Sequence, residues 1–197
     1  MTRMSSHDVR ERLLEAGVRI FSKSGFNGCS VQDITDSAGV PKGSFYNHFD
    51  SKEALGAAAL KHYWSDGDCC DRLQLLSQPG LSPRERLRAY FEQISADVAQ
   101  MNYTCGCLIG NMAAELSDHS PVISAQLSEI YAGWSRMVGQ CLREAQAAGE
   151  VCKNADPDQV ATFILNAWEG AVLRARIEKG DRPLRQFLDT LFSQLLR

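Results

Sequence analysis

The sequence predicts an all-α protein of about nine helices. Apolar residues recur at intervals of three and four along most of the chain, and no stretch alternates apolar and polar residues as a half-buried strand does. Glycine and proline lie between the periodic stretches, where helices end and begin. We expect residues 1–50 to form a domain of three short helices and residues 51–197 to form a larger helical bundle.

The first three helices can be bounded from local patterns. The first carries an apolar stripe made of Val9, Leu13, Ala16, Gly17, Ile20 and Phe21. Gly25 closes it, and Ser30 with Asp33 three residues later forms a capping-box pattern that begins the second helix. Gly39 suits the left-handed conformation that ends a helix, and Pro41 suits the first turn of a third. Two short helices joined by a tight turn are typical of helix-turn-helix proteins, which place the second helix in a DNA groove.

The third helix is short because a fourth begins soon after it. Phe45 and Phe49 are four residues apart and are expected to pack the third helix against the second. Asp50 or Ser51 can cap the fourth helix. This fourth helix could continue as far as the Gln-Pro-Gly break at residues 78–80.

The later helices are predicted from start and stop patterns of the same kind, with a loop at residues 102–106. Their expected spans are Ser82 to that loop, Cys107 to Leu116, Ser120 to about Ala148, Asp156 to Lys179-Gly180, and a last helix from about Pro183. Three of them begin with a serine or aspartate followed directly by proline, a combination that suits a helix N-terminus.

The polar residues of the third helix form a candidate DNA-contacting surface. Lys42 can reach a guanine edge or a phosphate, and Gly43 allows the backbone to come close. Ser44 and Asn47 are candidates for base-edge contacts, since an amide is suited to adenine. The hydroxyl of Ser30, near the start of the second helix, is a further candidate for a phosphate contact. Any one of these residues could instead lie on an ordinary polar helix face.

A family resemblance covers roughly the first third of the chain. It rests on Gly25-Phe26, Asp33-Ile34, Ala38-Gly39-Val40, Lys42-Gly43-Ser44-Phe45-Tyr46, His48-Phe49 and Ser51-Lys52-Glu53-Ala54-Leu55. Together these motifs resemble the DNA-binding domain of TetR-type transcriptional repressors. The resemblance implies that Tyr46, His48 and Lys52 bind DNA phosphates, although packing would also explain the tyrosine and the histidine.

A second resemblance lies further along the chain. Its motifs are Gly106-Cys107-Leu108-Ile109-Gly110-Asn111 and Trp168-Glu169-Gly170-Ala171-Val172-Leu173-Arg174-Ala175. They are similar to the TetR-type subgroup that controls genes for detoxifying small electrophiles, such as acrylate or maleimide-type compounds. The resemblance implies a sensing role for Cys107, which lies near a predicted helix N-terminus, where backbone N–H groups favour a reactive thiolate. Cys105 could resolve a sulfenic acid, and Cys107 could equally be a small buried hydrophobic residue.

Two arginines distinguish this chain within that subgroup. Members often have a lysine late in the eighth helix, where this chain has Arg174 and Arg176. An arginine can stabilise a thiolate or bind a carboxylate through two hydrogen bonds, but it does not readily form a covalent nitrogen adduct. The arginines therefore favour a carboxylated or reactive electrophile over thiol–amine cross-linking.

The family resemblance also implies an effector pocket inside the C-terminal bundle. Such pockets have apolar walls and a few polar anchors. The candidate wall residues are Tyr90, Phe91, Ile94, Met112, Tyr131, Trp134 and Trp168. Each of them could be plain core instead.

Charge and apolar content both favour a homodimer. The chain has a net charge of −3, and even residues 1–61 are hardly basic, with eight Lys or Arg against seven Asp or Glu. Few phosphate contacts per subunit would require two subunits on a palindromic double-stranded operator. The last two helices carry more apolar surface than a small bundle needs, and the resemblance implies that they form a four-helix dimer interface. Burial of that surface in a monomer core is the alternative.

Composition argues against several other classes of protein. No run of about 18 apolar residues is present and the N-terminus does not read as a signal peptide, so we expect a cytoplasmic protein without membrane contact. Seven cysteines at irregular spacing do not suit a disulfide framework, and no zinc-ligand spacing is present. We expect no catalytic site, metal or cofactor.

The leading hypothesis is a dimeric, sequence-specific transcriptional regulator, a repressor released by a small effector. A repressor that responds to a noncovalent ligand is the nearest alternative. A thiol enzyme that uses Cys107 on small electrophiles would need a base, and the candidate His119 lies after a helix break. A helical interaction module with a vestigial DNA-binding motif is a further alternative.

Overall fold

The computed structural model describes residues 6–196. Within that range all regular secondary structure is helical, so the predicted all-α class is confirmed. The α-helices are α1 (Ser6–Ser24), α2 (Val31–Ala38), α3 (Lys42–Phe45), α4 (Lys52–Ser65), α5 (Asp68–Leu73), α6 (Pro83–Gln100), α7 (Leu108–Leu116), α8 (Pro121–Ala147), α9 (Pro157–Glu178) and α10 (Arg182–Thr190). A 3-10 turn, Gln74–Ser77, follows α5, and a π-helical turn, Leu191–Leu195, follows α10.

The chain folds into two compact units. The first contains the described residues up to Gly67 together with Cys107–Leu127, and the second contains Asp68–Gly106 together with the described residues from Ser128 onward. In the first unit, α7 packs against α1 although α6 lies between them in the chain. No helix between residues 6 and 196 is long and apolar enough to cross a membrane. The predicted boundary after residue 50 divides a DNA-binding domain from an effector-binding and dimerisation bundle, and this functional division stays a prediction.

Local hydrogen bonds form the helix-turn-helix of the first unit. The capping box of α2 is confirmed: the Ser30 hydroxyl accepts the N–H of Asp33 at 3.2 Å, and the Asp33 carboxylate accepts the N–H of Ser30 at 2.7 Å. Gly39 ends α2 with a φ of 63°, as predicted. The buried apolar residues of α1, α2, α3 and the turn after α3 include Leu13, Phe21, Ile34, Phe45 and Phe49.

Aromatic rings fill much of the core of the second unit. Phe91 of α6 packs against Trp168 of α9 and Phe187 of α10, with ring centroids 6.0 and 5.3 Å away. Trp168 and Phe187 also contact each other at 5.6 Å, with their planes 62° apart. Edge-to-face geometry of this kind is what aromatic pairs prefer, so one aromatic cluster joins α6, α9 and α10.

The fourth helix is shorter than the expected maximum. α4 ends at Ser65 rather than near residue 78, because Asp66 leaves the helical region with a φ of −126°. Gly67, a poor helix former, comes next. The six residues of α5 then run directly into the 3-10 turn.

α9 ends where expected, but a different residue makes the turn. Lys179, not Gly180, takes the left-handed conformation, with a φ of 51°. That conformation costs a non-glycine residue about 1 kcal/mol. The Lys179 N–H donates to the Ala175 carbonyl, and its ammonium donates to the Tyr103 carbonyl at 3.4 Å, so two hydrogen bonds offset the cost.

Candidate functional site

Two phenylalanines bury one side of the α3 region and leave its polar residues outside. α3 spans four residues, and a turn continues the chain to Phe49. Phe45 is fully buried and Phe49 nearly so, with ring centroids 5.8 Å apart. The polar residues outside are Lys42, Gly43, Tyr46 and Asn47, which are exposed, and Ser44 and His48, which are half-buried. We call these six residues the α3 surface.

Tyr46 gives the α3 surface a large exposed side chain. The residue is 57% exposed, and its ring packs edge-on against Phe45 with centroids 5.2 Å apart. Gly43 leaves open space on the same surface, since a Cβ at this position would meet nothing within 4 Å. A phenol hydroxyl beside an unobstructed backbone suits contact with DNA phosphates and base edges.

Ser30 is engaged within its own helix cap. Its hydroxyl donates to the Asp33 carboxylate at 2.7 Å. This hydrogen bond and that of the Ser30 N–H lower the pKa of Asp33 below its ordinary value of 3.8. A phosphate contact by the Ser30 hydroxyl would have to replace the bond to Asp33, and the contact stays a prediction.

Lys52 supports the α1–α2 loop, which we define as residues 25–30. Its ammonium donates to the carbonyls of Phe26 and Cys29, at 2.8 Å each, and lies 4.3 Å from the centroid of the Phe26 ring. These bonds use two of the three N–H groups of the ammonium. The phosphate contact predicted for Lys52 stays a prediction. The sequence pattern did not indicate that Lys52 would bind the carbonyls of this loop.

Two residues of α7 that the sequence analysis did not single out also bind the segment that precedes α2. The Glu115 carboxylate accepts the N–H groups of Phe26 at 3.0 Å and Asn27 at 2.6 Å. The Asn111 amide donates to the carbonyls of Phe21 and Ser22, at 3.2 and 2.9 Å, in the last turn of α1. The spacing of four places Asn111 and Glu115 on one face of α7, and this polar pair on a mostly apolar helix was the available signal.

Cys107 lies at the N-cap of α7, as the sequence predicted. The residue is half-buried, and its carbonyl accepts the N–H of Asn111 at 2.9 Å. Cys105 is also half-buried, with its sulfur 3.9 Å from the Thr104 hydroxyl. No disulfide links any of the seven cysteines, all of which lie in the described range. The sensing role of Cys107 stays a prediction.

Most of the predicted pocket walls lie in the core of the second unit. The Trp134 indole N–H donates to the Tyr90 hydroxyl at 2.8 Å, and Tyr131 stacks on Trp134 with ring centroids 6.3 Å apart. Trp168 belongs to the aromatic cluster described above. Met112 is fully buried in the first unit. The structure therefore brings Tyr90, Tyr131 and Trp134 together, and their role as pocket walls stays a prediction.

The two predicted anchor arginines differ in their surroundings. Arg174 is exposed, and its guanidinium donates to the Glu178 carboxylate at 2.9 Å. Glu178 also accepts two hydrogen bonds from Arg182, at 3.0 and 2.8 Å, and these are the main reason why the pKa of Glu178 is lowered. Arg176 is half-buried. An effector carboxylate at Arg174 would compete with Glu178 for the same guanidinium, and that binding role stays a prediction.

α9, α10 and the turn after α10 present an apolar groove on the surface of the second unit. Its apolar lining consists of Phe163, Ile164, Ala167, Gly170, Ala171, Leu173, Pro183, Phe187, Leu191 and Leu195. We call this set the α9–α10 face. Phe163 and Leu173 are 57% and 58% exposed, and with the rest of the lining they form a contiguous apolar surface. Contiguous apolar surfaces of this kind are typical of interaction sites.

Cys141 is expected to react with alkylating agents far more slowly than Cys152. Burial raises the pKa of the Cys141 thiol from 9.0 to about 11, and its sulfur donates to the Pro83 carbonyl at 3.2 Å. A shift of this size lowers the thiolate fraction about a hundredfold at pH 8. Cys152 is exposed. Iodoacetamide labelling followed by peptide mass spectrometry would measure both rates, and similar rates would show that Cys141 is not shielded.

A helix-turn-helix with an exposed polar α3 surface, on a chain that continues into further helices, defines a helix-turn-helix DNA-binding protein. Residues 13–59 match the family model described as "Bacterial regulatory proteins, tetR family". Residues 83–191 match the model described as "Tetracyclin repressor-like, C-terminal domain". The chain belongs to the TetR family of transcriptional regulators, and the resemblance noted in the sequence is confirmed.

The similarity to known proteins extends over nearly the whole chain. It is 40% identical to the HTH-type transcriptional repressor DhaR from Mycobacterium sp. (strain GP1), over 98% of this chain and 95% of DhaR. The crystal structure of the regulatory protein TetR from Rhodobacter sphaeroides has a TM-score of 0.89 and 32% identity, over 95% of this chain and 98% of that one. The reduced form of NemR from E. coli has a TM-score of 0.86 and 31% identity, over 97% and 98%. These families and relatives are transcriptional regulators, not enzymes, and the thiol-enzyme alternative is set aside.

Proposed function

We propose that this chain is a dimeric repressor that binds a palindromic operator and leaves it when a small electrophile or oxidant modifies Cys107. The observation that carries the DNA-binding part is the α3 surface, whose polar groups lie outside the buried Phe45 and Phe49. The similar proteins DhaR and NemR are both named repressors, which supports repression rather than activation. Such a protein would act in the cytoplasm, where its operator lies.

The exposed apolar α9–α10 face supports dimerisation through this surface. A second copy of the same face would cover Phe163 and Leu173 in an isologous contact. Two α3 surfaces would then meet two half-sites separated by about one helical turn or a multiple of it. Because the whole chain carries a net charge of −3, nonspecific attraction to DNA is weak, and the paired half-sites must supply the affinity.

The position of Cys107 supports covalent sensing at this residue. The residue is half-buried at the first turn of α7, where backbone N–H groups stabilise a thiolate. The thiolate would add to the β-carbon of an acrylate-type compound: a C–S bond forms, the C=C π bond breaks, and the α-carbon takes a proton from water. The E. coli relative NemR was crystallised in a reduced form, which supports a role for oxidation in this proposal.

Replacement of Cys107 by serine is expected to preserve operator binding and abolish its release by electrophiles. The assay is fluorescence anisotropy of labelled DNA from the upstream region of the chain's own gene, with and without acrylate or a quinone. Serine keeps the approximate size of the side chain while removing the nucleophile. Cys141→Ser is a matched control, because this buried thiol should contribute nothing to the response.

Three results of that assay would change the proposal. Release of Cys107→Ser from DNA at the wild-type electrophile concentration would remove Cys107 from the mechanism. Operator binding that ignores electrophiles would favour a noncovalent ligand, for which the predicted pocket walls Tyr90, Tyr131 and Trp134 are the candidate contacts. Dimers that select no DNA sequence would favour the interaction-module alternative.

A further inference from the structure

The α1–α2 loop, residues 25–30, determines where α2 and the α3 surface begin. It leads from the end of α1 at Ser24 to the N-cap of α2 at Ser30. Its first residue, Gly25, has a φ of 77°, so the chain reverses sharply there. α1 accepts the Gly25 N–H at the Phe21 carbonyl, and α2 accepts the Ser30 N–H at Asp33. The backbone groups of the residues between them need other partners.

Glu115 supplies partners for two consecutive N–H groups of the loop. Its two carboxylate oxygens lie 3.0 and 2.6 Å from the nitrogens of Phe26 and Asn27. A Cβ on Gly25 would come within 2.1 Å of a Glu115 oxygen, so the carboxylate lies directly against the glycine. The loop therefore packs closely around this one carboxylate and binds it through two charge-assisted hydrogen bonds.

Residues of α4 also contact the α1–α2 loop, close to the contacts that the loop makes with α7. Lys52 donates to the carbonyl of Phe26, whose N–H donates to Glu115, so one peptide residue is bound at both of its polar groups. A Cβ on Gly56 of α4 would lie 3.1 Å from the Met112 methyl and 3.2 Å from the Phe26 ring. The loop, α4 and α7 thus meet at one tightly packed point in the first unit.

We propose that Glu115 is a positioning residue that couples α7 to the α3 surface. This inference rests on the proposed function, because it assigns the route by which modification of Cys107 weakens operator binding. Cys107 caps the first turn of α7 and Glu115 lies in its last turn, so a displacement of α7 moves the carboxylate away from the N–H groups of Phe26 and Asn27. Without that partner the loop relaxes, and α2 and α3 lose the placement that matches the operator.

Replacement Glu115→Gln tests the coupling, because it keeps the side-chain size and removes the charge. Loss of a negative charge from a DNA-binding protein should by itself strengthen binding. The proposal predicts the opposite change in affinity. Operator affinity should fall about tenfold or more, which corresponds to weakening one charge-assisted hydrogen bond. Glu129→Gln, at an exposed position of α8, is the matched control for the charge and should bind at least as tightly as wild type.

Amide hydrogen exchange of Phe26 and Asn27, measured by NMR on the full-length dimer, gives a second readout that does not depend on a variant. Treatment of wild type with N-ethylmaleimide should accelerate exchange at both amides about tenfold, and treatment of Cys107→Ser should not. Release from DNA while both amides keep their protection would overturn the proposal, as would Glu115→Gln affinity equal to that of Glu129→Gln. In either of these two cases the wild-type protein still binds its operator and is released from it, so only the role of Glu115 is overturned. Wild-type protein that selects no operator would overturn the proposed function as well.

Discussion

Tyr46→Ala is expected to abolish specific operator binding without dissociating the dimer. The residue is 57% exposed and lies on the α3 surface, so its removal costs little folding energy. Each subunit would lose a phenol-to-phosphate hydrogen bond of about 1.5–3 kcal/mol, and the dimer would lose two. We therefore expect operator affinity to fall by more than about a hundredfold. Fluorescence anisotropy measures the affinity, and analytical ultracentrifugation measures the dimer.

Tyr46→Phe separates the hydroxyl from the ring. The phenylalanine keeps the edge-on contact with Phe45, for which the centroids are 5.2 Å apart, and removes only the hydrogen-bonding group. If the hydroxyl binds a phosphate, both variants lose most of their affinity. Normal operator binding by Tyr46→Ala would contradict the docking of the α3 surface on DNA.

Gly170→Glu is expected to produce a folded monomer that binds the operator weakly. Gly170 lies in α9 on the α9–α10 face, and a Cβ there would meet nothing within 4 Å of its own chain. Glutamate is also a better helix former than glycine, by roughly 0.5–1 kcal/mol. The melting temperature of the isolated subunit should therefore not fall. In a dimer joined through this face, each subunit would bury an added carboxylate, whose desolvation costs several kcal/mol even beside Arg174.

The consequence for DNA binding follows from the loss of the second subunit. A monomer contacts one half-site, and the advantage of linking two half-sites, about 10²–10⁴ in affinity, disappears. Ala132→Glu adds the same charge at an exposed position of α8 and should remain a dimer. A Gly170→Glu protein that stays dimeric at nanomolar concentration would place the interface on another surface.

Local chemistry in the sequence determined the helix-turn-helix. The Ser30–Asp33 cap, the left-handed Gly39 and the spacing of Phe45 and Phe49 each involve residues no more than about a helical turn apart. Interactions of this range depend on the segment itself, so the sequence was sufficient to predict them. The position of Cys107 at the start of α7 was predictable for the same reason.

The tertiary structure alone decided which side chains support the helix-turn-helix and its α3 surface. Glu115 bonds backbone groups 88 and 89 residues earlier in the chain, and Lys52 bonds carbonyls 23 and 26 residues earlier. Neither pairing follows from helical periodicity, which says only that a residue faces a given side of its own helix. A loop N–H or carbonyl accepts whichever partner the packing of distant helices brings within about 3 Å. The sequence therefore determined the helices of the helix-turn-helix, and the packing of α4 and α7 decided which side chains hold them in place.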